Sequence, residues 1–195
     1  LGDVYKRQPQ DPAFMDACDE LGMFIIVATP GWQYWNPEPV FEERILSDIR
    51  NMVRRDRNHP SVLLWEPVLN ETAFPESFAQ NAYRATHEEY PAPGCYAAID
   101  DKSKGAMGYD VVYTAPKNEA FYRNAGKSCF TREYGDCVDD WNSHNSYSRV
   151  AREWGEEPQI RQAQHYARKD YGGSLTVDQF YKSPRGHIGG ALWPV

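Results

Sequence analysis

No run of this 195-residue chain approaches 18 consecutive apolar residues, so no segment reads as a membrane-spanning helix. Basic charge is also in short supply. The 21 Lys and Arg are outnumbered by 28 Asp and Glu, the net charge is -7, and the cations are mixed among acids rather than gathered in a stripe. That pattern argues against a nucleic-acid surface and points to a neutral partner. The four cysteines, Cys18, Cys95, Cys129 and Cys137, have neither paired metal spacing nor a short repetitive framework, so buried free thiols are expected. Internal repeats and low-complexity tracts are absent. Leu1 to Gln8 has no Met and no apolar core of the signal-peptide kind, and it does not flow into the pattern that begins at Asp11. Residues 1–8 are therefore read as a non-native junction, with residues 9–195 as the domain. None of the five histidines falls on a predicted strand end, which leaves a metal hydrolase unsupported. No metal and no cofactor is expected.

Aromatic residues, by contrast, are plentiful. Six Trp, thirteen Tyr and eight Phe make up 14% of the chain, enough to stack on sugar faces or to fill a barrel core.

Strand-like and helical stretches alternate along the sequence. Asp11 to Gly22 carries Phe14, Met15, Cys18 and Leu21 at helical spacing, with Gly22 placed to cap the C-terminus. Met23 to Thr29 is a continuous apolar run ending at Pro30-Gly31, the pattern of a strand buried on both faces. Phe41 to Arg57 aligns Ile45, Ile49, Met52 and Val53 on one side of a surface helix, and His59-Pro60 closes it. Further strands are predicted at Ser61 to Glu71, Cys95 to Asp100, Asp110 to Thr114, Ser128 to Asp136 and from Gly189. Helices are predicted at Pro75 to Glu89, Lys117 to Ala125, Pro158 to Lys169 and Thr176 to Lys182. Six strands alternating with helices imply right-handed crossovers and a parallel sheet. The chain is short of the roughly 250 residues of a complete eight-fold barrel.

Two glutamates, Glu71 after Leu69-Asn70 and Glu133 within Thr131-Arg132-Glu133-Tyr134-Gly135, stand at predicted strand C-termini. A parallel barrel delivers its reacting side chains from those ends. An isolated Glu there is most simply a solvated loop residue. Two together are the equipment for cleaving a glycosidic bond: one carboxyl protonates the leaving oxygen while the other stabilises or attacks the anomeric centre. Glu71 follows Trp65, Val68 and Leu69, so partial desolvation would suit it to the acid role. Glu133, beside Arg132 and Tyr134, would be kept ionised.

The strings DPAFMDACDELGMFIIV, DIRNMVRRDRNHPSVLLWEPVLNE, FTREYGD and GGALW resemble the barrel domain of glycoside hydrolase family 2, the β-galactosidases, β-glucuronidases and β-mannosidases. The resemblance runs from about Pro9 to Trp193. It implies an α/β fold, a (β/α)8 TIM barrel of which about six strands are present and the first two are missing. It further implies a retaining exo-β-glycosidase, with a β-galactoside as the favoured glycoside or oligosaccharide substrate. Glu71 then matches the acid/base, Glu133 the nucleophile, and Asn70 a residue that binds the sugar 2-hydroxyl. Flanking β-sandwich domains are implied as well, and this chain alone is expected to be inactive.

Other positions stay open. Trp193 resembles a family aromatic lining the sugar site, against a core role. Tyr113 is either a hydrogen-bonding group near the nucleophile or packing. Trp141, with Asn142 and His144, is a subsite candidate in a loop whose composition is first of all that of a turn. His59 and Asp100-Asp101 read as turn, capping or solvated residues. The competing reading is a non-catalytic carbohydrate-binding barrel, which has no need of two opposed carboxylates.

Overall fold

The computed structural model describes residues 2–4, 9–114, 119–134 and 187–192. Of residues 2–4, 119, 120, 132–134 and 187–192 it describes the backbone alone. Among the described residues there are seven strands: β1 (Gly2–Val4), β2 (Phe24–Ala28), β3 (Val62–Glu66), β4 (Ala98–Asp100), β5 (Val111–Tyr113), β6 (Ser128–Tyr134) and β7 (His187–Leu192). Between them lie α1 (Pro12–Leu21), α2 (Pro39–Asp56), α3 (Glu76–Glu89) and α4 (Glu119–Asn124), with a 3₁₀ turn at Ala106–Gly108.

Among the described strands every pairing is parallel. The ladders run β1-β2-β3 and β4-β5-β6-β7. A parallel bridge between Trp65 and Ala97, with Trp65 N–H donating to Tyr96 C=O at 2.9 Å, joins the two sets. β1 in turn comes within contact of β7, so the strands curve round into a barrel.

Local chemistry accounts for the helices. At α1 the Asp11 carboxylate accepts from Ala13 N–H at 2.8 Å, Pro12 occupies the first turn, and Gly22 ends the helix in the left-handed conformation at φ 69°. α2 starts on Pro39 and ends with Arg54 and Arg55, cations favoured by the helix dipole.

The strands are packed on both faces. Ile26, Leu64, Ala98, Val111, Tyr113 and Phe130 form the barrel interior. Ile25, Val27 and Trp65 point outward to Met15 and Cys18 of α1 and Met52 and Val53 of α2. A second outer cluster joins Ile45 and Ile49 of α2 to Phe78, Ala79 and Ala82 of α3. The alternation follows from the two-residue period of a strand.

Three sequence expectations change. Gly2–Val4, within the stretch expected to be a non-native junction, pairs in register with Phe24, Ile25 and Ile26, so the described residues hold seven strands where six were expected. A three-residue strand beginning with Gly and Asp carries no periodicity to read. β3 stops at Glu66, not at Glu71, because Pro67 has no N–H to continue a ladder; Val68 and Leu69 are apolar because they pack in the outer cluster. His187, placed outside any strand, opens β7 at the end away from the C-terminal mouth. The remaining predicted strands and the helices up to Asn124 fall where expected, most with shorter bounds, while α2 starts two residues earlier than predicted, at Pro39. The helices predicted at Pro158 to Lys169 and Thr176 to Lys182 lie outside the described residues.

Candidate active site

The site is built where β2 and β3 give out at the C-terminal end of the barrel. Past Ala28 the chain turns at Pro30-Gly31, and past Glu66 it turns at Pro67. Thr29 N–H donates to Glu66 C=O at 2.9 Å, which carries the β2–β3 ladder just beyond the strands. The ladder is picked up again further out: Trp32 and Asn70 form an isolated parallel bridge, and Gln33 N–H donates to Asn70 C=O at 3.2 Å. Thr72 Oγ1 donates to the same carbonyl at 2.8 Å, fixing the turn that carries Glu71.

Glu71 is exposed, and its Oε2 accepts two hydrogen bonds, from Trp32 Nε1 at 2.7 Å and from Gln33 Nε2 at 2.8 Å. The burial behind an apolar strand that the sequence suggested for this carboxyl is not there, because the strand ended five residues earlier. Among the described residues, two neutral N–H donors hold the carboxyl instead. Among the described residues only Gln33, at φ 52°, and Glu71, at φ 48°, combine a positive φ with a side chain. That left-handed conformation costs a non-glycine residue about 1–3 kcal/mol and persists where the surroundings over-determine it. Both residues lie on the two sides of one contact. Trp35 anchors the far end of the β2 loop, its ring 5.4 Å from Phe41 and 4.8 Å from Phe78.

The other sequence candidates are distributed as follows. Asn70 is buried beside Glu71, its main chain committed to the bridge. Tyr113 ends β5 and is buried in the barrel interior, 6.1 Å from the Phe130 ring. Glu133 is the penultimate residue of β6, a strand that pairs with β5. Trp141, Asn142, His144 and Trp193 lie outside the described residues. Cys18, Cys95 and Cys129 are buried free thiols, as expected; Cys137 lies outside the described residues.

Trp32 and Gln33 did not stand out in the sequence. Their signal was available, since they follow β2 at the same barrel end that singled out Glu71.

Asp16, Asp19 and His59 bring three potential metal-ligand atoms within 4.8 Å of one another. They sit at the N-terminal end of β3, remote from Glu71 along the strand. Asp19 is already committed there: Oδ2 bonds His59 Nδ1 at 2.6 Å and Oδ1 accepts from Ser61 N–H at 2.9 Å. Burial would raise the Asp19 carboxyl, but these bonds from Ser61 and His59 outweigh it and hold the group below the ordinary carboxylate value.

A parallel α/β barrel bearing a glutamate on the turn after a strand, at the C-terminal mouth, defines a TIM-barrel fold, and that mouth is the face where such barrels carry their chemistry. Residues 6–92 match the family model described as "Glycosyl hydrolases family 2, TIM barrel domain". Over that stretch, a little under half of its length, the chain is similar to glycoside hydrolase family 2. It is 38% identical over 84 residues to a β-galactosidase of Thermoanaerobacterium thermosulfurigenes, an alignment covering 43% of this chain and 12% of that protein. Over 66 residues it is 38% identical to a putative β-glucuronidase of Formosa agariphila, covering 31% of this chain and 6% of that one. The fold matches the crystal structure of a family 2 β-galacturonidase from Eisenbergiella tayi bound to galacturonate, with a TM-score of 0.65 at 21% identity, over 98% of this chain and 37% of that chain. The chain thus spans a small part of the length of the relatives it matches.

Proposed function

We propose that this chain provides the catalytic barrel of a retaining exo-β-glycosidase, with β-galactosides as the favoured substrates and no metal or cofactor required. Glu71 protonates the glycosidic oxygen as the sugar leaves, while the Glu133 carboxylate attacks the anomeric carbon to give a covalent glycosyl-enzyme. Glu71, now ionised, then takes a proton from water, which releases the sugar with its configuration retained. The mechanism requires the two carboxyl groups about 5 to 5.5 Å apart. Asn70 is assigned to the sugar 2-hydroxyl, and Tyr113, Trp141 and Trp193 to the wall of the sugar site. The observation that carries the proposal is the Glu71 carboxyl, held by two N–H donors at the barrel mouth within the stretch that matches family 2. The β-glucuronidase and β-mannosidase activities of the same family are the alternatives for the sugar.

The test is made in the full-length protein. Glu133→Gln should abolish turnover of an activated aryl β-galactoside, and turnover near wild type would remove the nucleophile assignment. Glu71→Ala with added azide should yield the β-galactosyl azide; an α-azide would refute retention. Parallel assays on aryl β-glucuronide and β-mannoside decide the sugar.

A further inference from the structure

We propose that Trp32 and Gln33 are positioning residues for the proton donor, and that they determine which oxygen of Glu71 delivers the proton. The inference rests on the acid/base role assigned to Glu71 above. A carboxylate oxygen that accepts two N–H bonds at 2.7 and 2.8 Å presents its lone pairs to those donors, so a proton on it would forfeit one of them. The acid form therefore carries its proton on Oε1, and the pair on Oε2 fixes the plane in which Oε1 points. In the first step the Oε1–H bond breaks as the proton passes to the departing glycosidic oxygen, whose bond electrons from the anomeric carbon it retains. In the second step Oε1 takes a proton back from the attacking water. Oε2 exchanges no proton in either step.

Both donors belong to the β2 loop, while the acid belongs to the β3 loop. The backbone couples the two through the Trp32–Asn70 bridge and the Gln33 N–H to Asn70 C=O bond. The two positive-φ residues, Gln33 and Glu71, are the two ends of that coupling. A loop conformation that costs energy at both ends of one hydrogen-bonded contact is pre-organisation of the kind that fixes an acid before substrate arrives. Trp32 is also exposed, with 41% of its surface open beside the group that meets the leaving oxygen.

The experiment uses the full-length protein with Trp32→Phe, which keeps a ring and removes the N–H, and Gln33→Leu, which removes the amide. Each is compared with wild type and with Glu71→Ala on methyl β-galactoside, which needs the proton, and on 2,4-dinitrophenyl β-galactoside, which does not. Loss of one hydrogen bond to a charged group predicts a fall of about tenfold in kcat/KM for the methyl glycoside. The dinitrophenyl substrate should stay within about twofold of wild type, since its departure needs no acid. Equal losses on both substrates, or none on either, while Glu71→Ala remains selective for the methyl glycoside, would overturn the positioning role and leave the acid assignment standing. If Glu71→Ala itself is not selective, the acid assignment falls and the positioning role with it.

Discussion

Gly31 and Leu69 lie so close that a Cβ on the glycine would sit 2.6 Å from Leu69 Cδ2, and Gly31 itself has φ 135°. The close approach brings the turn after β2 down onto the turn after β3, and it is what allows Trp32 to reach Asn70 and Glu71. Alanine at this position meets both the contact and the backbone strain. Gly31→Ala should lower stability by about 1–3 kcal/mol, read as a lower melting temperature. If Leu69 gives way without moving the loop, only the backbone strain at φ 135° remains and the fall will sit at the low end of that range; an unchanged melting temperature would mean that neither the contact nor the strain is felt. Truncating the obstacle in Leu69→Ala should cost more, about 2–5 kcal/mol for a buried leucine, and the double variant should be less than additive.

The Asp19 carboxyl gives the barrel base an acid-labile bond. Its folded pKa is depressed, so its contribution is present above the unfolded value and is lost as pH falls through the folded one. Asp19→Asn should therefore be less stable than wild type at pH 7, by about 1 kcal/mol or less at this partly solvated position. The gap should close as pH drops below the ordinary carboxylate range. Denaturant melts at pH 7 and pH 3 make the comparison; a gap that stays constant with pH would mean that Asp19 works through packing instead.

The parts of the fold that could be read from sequence are those whose cause is local. The Asp11 cap, Pro12 and Gly22 bound α1 as their residue types dictate, and the unbroken run Phe24 to Ala28 is a strand because both its faces are covered. The apolar run outlasts β3 because Val68 and Leu69 are buried by the α2–α3 layer and not by a ladder, so apolarity there does not signal pairing. Glu71 was found because it follows an apolar run. Its partners were not, because the contact depends on left-handed φ values at Gln33 and Glu71 that no side-chain pattern encodes. Tyr113, at the end of a strand and inside the barrel, has a position that fits both packing and chemistry, which is why its residue type alone does not separate them.

Cys95 is buried, and burial together with the nearby Asp110 carboxylate pushes its thiol up to about 12. The thiolate is the nucleophile, so this group is inert at neutral pH. Treatment of the native protein with iodoacetamide at pH 8 should leave Cys18, Cys95 and Cys129 unmodified by peptide mass analysis. The same treatment in denaturant should label all three. Native labelling of Cys95 would mean that the α3–β4 junction opens on the timescale of the reaction.

Asp110 ties that junction together, accepting from Tyr83 Oη at 2.9 Å and from Ala97 N–H at 2.8 Å, with His87 Nε2 at 3.0 Å. Burial first, and then the hydrogen bond to Asp110, push the Tyr83 hydroxyl up to about 12. A group whose folded pKa is raised contributes fully below its unfolded value, near 10, and loses that contribution as pH climbs toward 12. The protein should therefore lose stability progressively across pH 10 to 12, together with ionisation of tyrosine followed by ultraviolet absorbance. Asp110→Asn keeps an acceptor but removes the charge that opposes phenolate formation, so Tyr83 should titrate lower while burial still holds it above an exposed tyrosine. Tyr83→Phe should remove that part of the alkaline loss attributable to this hydroxyl and leave the rest, including the share of Tyr109, whose hydroxyl is raised further still by deeper burial. An alkaline profile identical in wild type and Tyr83→Phe would assign the whole effect to other groups.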